Sequence, residues 1–178
     1  MQRKDFEIMA PVGSYESLAA AIEAGADAVY FGVEGLNMRS RSSANFTLDD
    51  LAEIVRRCHQ EQVKTYLTVN TVIYDTDLDY LDKIIAAAKT AGVTAIIASD
   101  IAVFNACRRH GVEIHISTQC NITNIEAVRF YAGIADVMVL ARELNLDQVR
   151  AIYDTIEAED IRGPHGQRVR LEMFCHGA

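Results

Sequence analysis

The stretch AGADAVYFG, from Ala24 to Gly32, sets the reading of the whole chain. An apolar-periodic segment ends at Ala24, a glycine follows, and a short β-rich apolar run comes next. Glycine accepts the left-handed conformation that closes a helix. A continuous apolar run bounded in this way suits a strand covered on both faces, as in a parallel sheet. The same grammar returns as AGVTAIIAS from Ala91 and AGIADVMVL from Ala132, and more loosely as HGVEIHIS from His110.

Working outward, seven strands are expected at Glu7–Ala10, Ala28–Gly32, Lys64–Val69, Ala95–Ser99, Glu113–Ser117, Val137–Ala141 and Arg170–Phe174. Helical patterns lie between them. Thr47 is the expected cap of one, with Leu48, Leu51, Ile54, Val55 and Cys58 on its apolar face. A second begins near Asp75 and is expected to bury Leu78, Leu81, Ile84, Ile85 and Ala88. Asn145 caps a third, with Leu146, Val149, Ile152 and Ile156 inward.

Strict β-α alternation with short loops gives parallel strands joined by right-handed crossovers. An open doubly wound sheet and a (β/α) barrel both fit. No G-x-G-x-x-G follows any strand, so the dinucleotide-binding form of the open sheet lacks its main support. A complete barrel takes about 250 residues. The expectation is an α/β, TIM-like (β/α) barrel, incomplete in this chain, with residues 1–178 as the N-terminal part of one barrel domain. The rest of the barrel and any cysteine-rich region would lie beyond Ala178. Open barrel edges invite pairing, so an isolated piece is expected to form a homo-oligomer or be unstable.

Half of the 178 residues are apolar, 24% are charged, and the net charge is −8. That balance disfavours a broad nucleic-acid surface but leaves room for a local basic site. No apolar run approaches the ~18 residues of a membrane span, and no signal-peptide pattern opens the chain. A cytoplasmic protein without a membrane partner is expected. Cys58, Cys107, Cys120 and Cys175 lack framework spacing and read as reduced thiols.

In barrels, functional groups gather at the carboxyl ends of strands. The exits collect Asn70, Ser117, Gln119, Arg142, Glu143, Glu172 and His176, and the loop VEGLNMRSRSSANF adds Arg39, Arg41 and Asn45. Arginine is the side chain suited to bidentate capture of carboxylate or phosphate, so Arg39, Arg41 and Arg142 point to a small anionic substrate. The bland alternative leaves Arg39 and Arg41 in solvent and pairs Arg142 with Glu143 or Glu172. Asn70, Ser117 and Gln119 either bind ligand or tie loops together. Glu172 and His176 are the candidate catalytic pair. His115 lies mid-strand and reads as a core histidine, whereas His59, His110 and His165 fall at the other ends of the elements. No H-E-x-x-H, C-x-x-C or G-x-S-x-G is present, and no metal ligand set is assigned.

The segments APVGSYESLAAAIEAGADAVYFG, RSRSSANF, YLTVNT, IHISTQ, LARELNLDQV and EMFCHGA occur in this order and span nearly the whole chain. Together they resemble the U-32 peptidases, the collagenase-like peptidase family. The resemblance implies a TIM-like barrel. It implies an enzyme in full length: an RNA hydroxylase acting on tRNA or rRNA with a small dicarboxylate such as prephenate, or else a collagenase-like endopeptidase, or a partner subunit in ubiquinone hydroxylation. An isolated fragment is expected to be inactive. The resemblance also implies an iron–sulfur cluster in the full-length protein, on cysteines that follow the HGA segment, and no cofactor within these residues. Arg39, Arg41, Asn45, Arg142, Glu143, Glu172 and His176 fall in its motif segments.

Overall fold

The computed structural model describes residues 3–37 and 46–175. They fall into two compact units, one reaching to Val112 and the other starting at Glu113. The first unit holds β1 (Met9–Pro11), α1 (Tyr15–Glu23), β2 (Ala28–Phe31), α2 (Leu51–Gln60), β3 (Lys64–Val69), α3 (Leu78–Ala91), β4 (Ala95–Ala98) and α4 (Ile101–His110). The second holds β5 (Glu113–Ile116), α5 (Ile125–Ala132), β6 (Val137–Val139), α6 (Leu146–Glu159) and β7 (Arg170–Glu172). All seven expected strands form, each within two residues of its expected ends.

In the first unit β1 to β4 pair in sequence order, all parallel. Tyr30 aligns with Tyr66, and Tyr66 with Ala95, so these side chains share one face. Tyr66 forms an apolar cluster there with Ala28, Ala95 and Ile97, against which Met9 and Tyr30 pack. Val29, Phe31, Leu67, Val69, Ile96 and Ala98 occupy the alternate face and are also buried. Phe31 meets Phe46 edge to face, and Phe46 meets Tyr15 of α1 the same way, which ties that alternate face to the helices. Strands apolar on both faces are what a parallel sheet requires.

Helices α3 and α4 stop where glycine permits a left-handed turn, whereas Gly133 closes α5 in a right-handed conformation at φ −72°. Gly92 closes α3 at φ 82° and Gly111 closes α4 at φ 63°, each donating its N–H back to the last turn. These are the glycines of the repeated motif. Asn145 caps α6 as expected, exchanging hydrogen bonds with Gln148 at 2.9 Å in both directions.

Three local expectations are corrected. Thr47 is not the cap of α2. Its N–H and hydroxyl both donate to Asp50, and Asp50 is the residue that precedes the helix. The carboxylate is the better acceptor for two converging donors, so the turn forms around it and the helix starts later. Leu78 is exposed because a 3-10 turn over Asp75–Asp77 precedes α3 and rotates its first residue outward. Leu146 is exposed too, since the first residue of α6 lies outside the stripe that Ile152 and Ile156 bury.

In the second unit β5, β6 and β7 are parallel, with His115 aligned on Val137 and Val137 on Arg170. Alternation gives one apolar face of Ile114, Ile116, Met138 and Leu171. The other carries Glu113, His115, Ser117, Arg170 and Glu172 around the buried Val137 and Val139 of β6.

Candidate functional site

The carboxyl ends of β5, β6 and β7 are laced together by backbone. Leu140 N–H donates to the Glu172 carbonyl at 2.9 Å, Ala141 N–H to the Ile122 carbonyl at 3.0 Å, and the Thr118 hydroxyl to the Leu140 carbonyl at 3.3 Å. This lacing brings Ser117, Gln119, Arg142, Glu143 and Glu172 to one end of the second unit. Ser117 is buried and its hydroxyl accepts from the Gln119 N–H at 3.4 Å. Gln119 and Glu143 are exposed and Glu172 is half-buried. Asn70 ends β3, in the first unit, and is half-buried. Arg39, Arg41, Asn45 and His176 lie outside the described residues.

Arg142 is the side chain whose setting is most informative. Its guanidinium lies over the Phe174 ring, 4.1 Å from the centroid. Arg129, Arg162, Arg168 and Arg170 each stand against a carboxylate. Among the described residues Arg142 forms no salt bridge, so the pairing with Glu143 or Glu172 considered from sequence does not occur. A guanidinium packed over an aromatic ring loses rotational freedom while keeping N–H groups for an anion. Phe174 was not among the candidates. Its position two residues past Glu172 was the available signal, since residues i and i+2 of an extended segment share a side.

The amino ends of the same strands hold a second polar group. His115 is buried, with Nε2 3.3 Å from Glu113 Oε1. Arg170 approaches the same carboxylate oxygen at 3.5 Å. The His115 hydrogen bond is the main influence holding the Glu113 carboxyl below the usual carboxylate range, with the His115, Arg170 and His165 charges adding to it. His165 in the GPHG turn donates its N–H to Asp136 Oδ1 at 3.3 Å, and its Nδ1 meets Asp136 Oδ2. Asp136 is buried, and its hydrogen bond raises the His165 pKa. Sequence periodicity had set His165 aside and had not singled out Asp136. The core reading of His115 agrees with its burial.

The loop that leaves β2 is pinned at its base. Val33 bridges to Phe46, and Glu34 N–H donates to the Phe46 carbonyl at 2.9 Å. Asn37 is buried and donates to the Val33 carbonyl. It fills the space a Cβ on Gly32 would need, since that atom would fall 2.5 Å from Asn37 Cγ. Tyr15 donates to Asp50 at 2.8 Å, and the Arg57 guanidinium lies 4.7 Å from the Tyr15 ring centroid.

The four cysteines lie on different segments, and burial pushes the Cys58 thiol up to about 11 and the Cys107 thiol up to about 12. Among the described residues no three His, Cys, Asp or Glu side chains converge to hold a metal ion. None of the described helices is long and apolar enough to cross a membrane.

The model of peptidase family U32 matches residues 13–178. The chain belongs to that family. It is 61% identical over its full length to a collagenase of Porphyromonas gingivalis, of which it spans 43%. Over 97% of the chain it is 35% identical to a 23S rRNA 5-hydroxycytidine synthase of Escherichia coli, and 34% identical to tRNA hydroxylation protein P1 of Bacillus subtilis. It spans 24% and 39% of those two proteins. A solved U32 peptidase superposes with a TM-score of 0.69 at 13% identity, covering 94% of this chain and 66% of that one. Tryptophan synthase subunit alpha from Legionella pneumophila gives 0.60 at 17% identity, covering 96% and 72%. The U32 chain has the TIM-barrel-like fold expected from its repeats.

Proposed function

We propose that this U32 chain contributes the anion-binding part of a cytoplasmic RNA-hydroxylating enzyme that takes a small dicarboxylate such as prephenate. One observation supports the reading: the Arg142 guanidinium carbon lies over the Phe174 ring, 4.1 Å from its centroid, with no salt bridge among the described residues. A carboxylate meeting its exposed edge forms two parallel charge-assisted hydrogen bonds. Glu172, half-buried at the end of β7, is proposed to take up a proton, with His176 as its proposed partner. The hydroxylation names of two relatives support the RNA substrate. The iron–sulfur cluster suggested by the family resemblance is assigned to none of the four cysteines here, and no step is routed through it.

Calorimetry on the full-length protein with prephenate tests the site, and Arg142→Ala is expected to abolish measurable binding. Mass spectrometry of nucleosides from a deletion strain tests the substrate. Loss of a one-oxygen mass shift in tRNA or rRNA is expected; unchanged profiles in both sink the hydroxylase reading.

A second reading, peptide cleavage, is favoured by the 61% identity with the Porphyromonas gingivalis collagenase. Gelatin incubated with pure full-length protein decides it, and inactivity with and without added divalent metals removes it.

A further inference from the structure

The loops leaving β3 and β4 carry a second surface, remote in sequence from Arg142. Val72 is 64% exposed, Tyr74 68% and Ile101 72%, and Leu78 is exposed beside them. Single exposed apolar residues are ordinary; several arising from joined loops are not. The joining is explicit. Ile73 N–H donates to Asp100 Oδ2 at 3.3 Å, which joins the segment carrying Val72 and Tyr74 to the residue preceding Ile101. Asp100 Oδ1 accepts from Ala102 N–H at 2.8 Å, so the carboxylate also caps α4 and is fixed. Tyr74 N–H donates to Asp77 at 2.9 Å and its carbonyl accepts from Asp77 N–H at 2.8 Å, which closes the turn that leads to Leu78. Tyr80 donates to the Glu34 carbonyl at 3.0 Å and holds the start of α3 against the β2 exit.

Among the described residues, the charged side chains interspersed with these apolar ones along the chain are acidic. Asp75, Asp77, Asp79 and Asp100 intersperse them, Glu34 is exposed alongside, and the first basic side chain along α3 is Lys83. Such a field repels a phosphate backbone and a second copy of this acidic chain. It attracts a segment in which apolar side chains alternate with lysine or arginine.

We propose that the Val72–Tyr74–Leu78–Ile101 surface docks a cationic, apolar-containing polypeptide segment. The apolar side chains supply the contact area, and Asp75 and Asp79 select the charge. This surface does not depend on the Arg142 reading, and either can fail alone.

Fluorescence anisotropy on the intact protein tests it, using a short labelled peptide that alternates lysine and leucine. Saturable binding that weakens with added salt is expected. Tyr74→Ser with Ile101→Ser is expected to weaken it by about tenfold or more, as loss of a central aromatic anchor does. Asp75→Asn with Asp79→Asn is expected to reduce the salt dependence. These positions are exposed, and unchanged thermal melting verifies the fold of each variant. The proposal is overturned by any of four results: no peptide binding, equal binding by the serine variants, equal binding of a glutamate–leucine analogue, or tighter binding of a single-stranded RNA. Protection of Tyr74 from solvent labelling before any peptide is added also overturns it.

Discussion

The two units solve the same problem with different chemistry. In β1–β4 one sheet face is filled by Tyr66, Ala28, Ala95 and Ile97, with the polar atoms at its edge: Glu7 accepts from the Tyr66 hydroxyl and pairs with Lys64. In β5–β7 one face holds Glu113, His115, Ser117, Arg170 and Glu172 beside the buried Val137 and Val139. Apolar filling stabilises without regard to protonation, because dispersion and water release do not titrate. A face of acids, a histidine and an arginine is held by pairing, and its stability follows pH. The first unit is therefore read as scaffold on that face, and the second as the part where charge is kept available.

The sharpest way to break this contrast is to hollow the first face. Tyr66→Ala is expected to cost about 3–5 kcal/mol, the range for loss of a buried aromatic ring. Urea unfolding measures it, and a cost below about 1 kcal/mol would mean that the ring is not the keystone of that cluster. Gly163→Ala is next. A Cβ there would sit 2.3 Å from Asp136 Oδ1, so the turn that presents His165 must shift, and an overpacking cost of about 1–3 kcal/mol is expected in the same assay.

A pH series sharpens the contrast. His165 has a raised pKa, caused first by its hydrogen bond to Asp136. Its contribution is fully present below the unfolded histidine value of about 6.5 and is lost as pH rises through the higher folded value. Glu113 has a lowered pKa, caused first by His115. Its contribution is present above the unfolded carboxylate range and is lost as pH falls through the folded value. The melting temperature of wild type is expected to decline at both ends. His165→Asn is expected to remove the decline on the alkaline side, and Glu113→Gln part of the decline on the acid side. Identical pH profiles for all three proteins would remove the distinction between the units. The smallest effect is expected at Arg129, which pairs with Glu126 and Glu159 on an exposed face. Arg129→Ala should change stability by less than about 1 kcal/mol.

Much of the candidate site was legible for one reason and hidden for another. The positions of Arg142 and Glu172 at strand exits were legible because exits can be counted once the repeat is seen. That Arg142 lies on Phe174, rather than pairing with Glu143 or Glu172, is a matter of rotamer and local packing. Neither is encoded in spacing. The same holds for Asp136: it looks like one more residue of the motif AGIADVMVL, yet the GPHG turn folds back onto it from nearly thirty residues away.

By itself the sequence determined the order of elements, the parallel strands and the helix ends at Gly92 and Gly111. These depend on local period and on the backbone freedom of single residues, which a neighbourhood of about ten residues contains. Tertiary structure alone decided that Leu78 and Leu146 face water, that Asp50 replaces Thr47 at the start of α2, and that the segment holding Val72 and Tyr74 is joined to Asp100. Those outcomes turn on which donors and surfaces compete at a given place, and the competitors come from segments that only folding brings together.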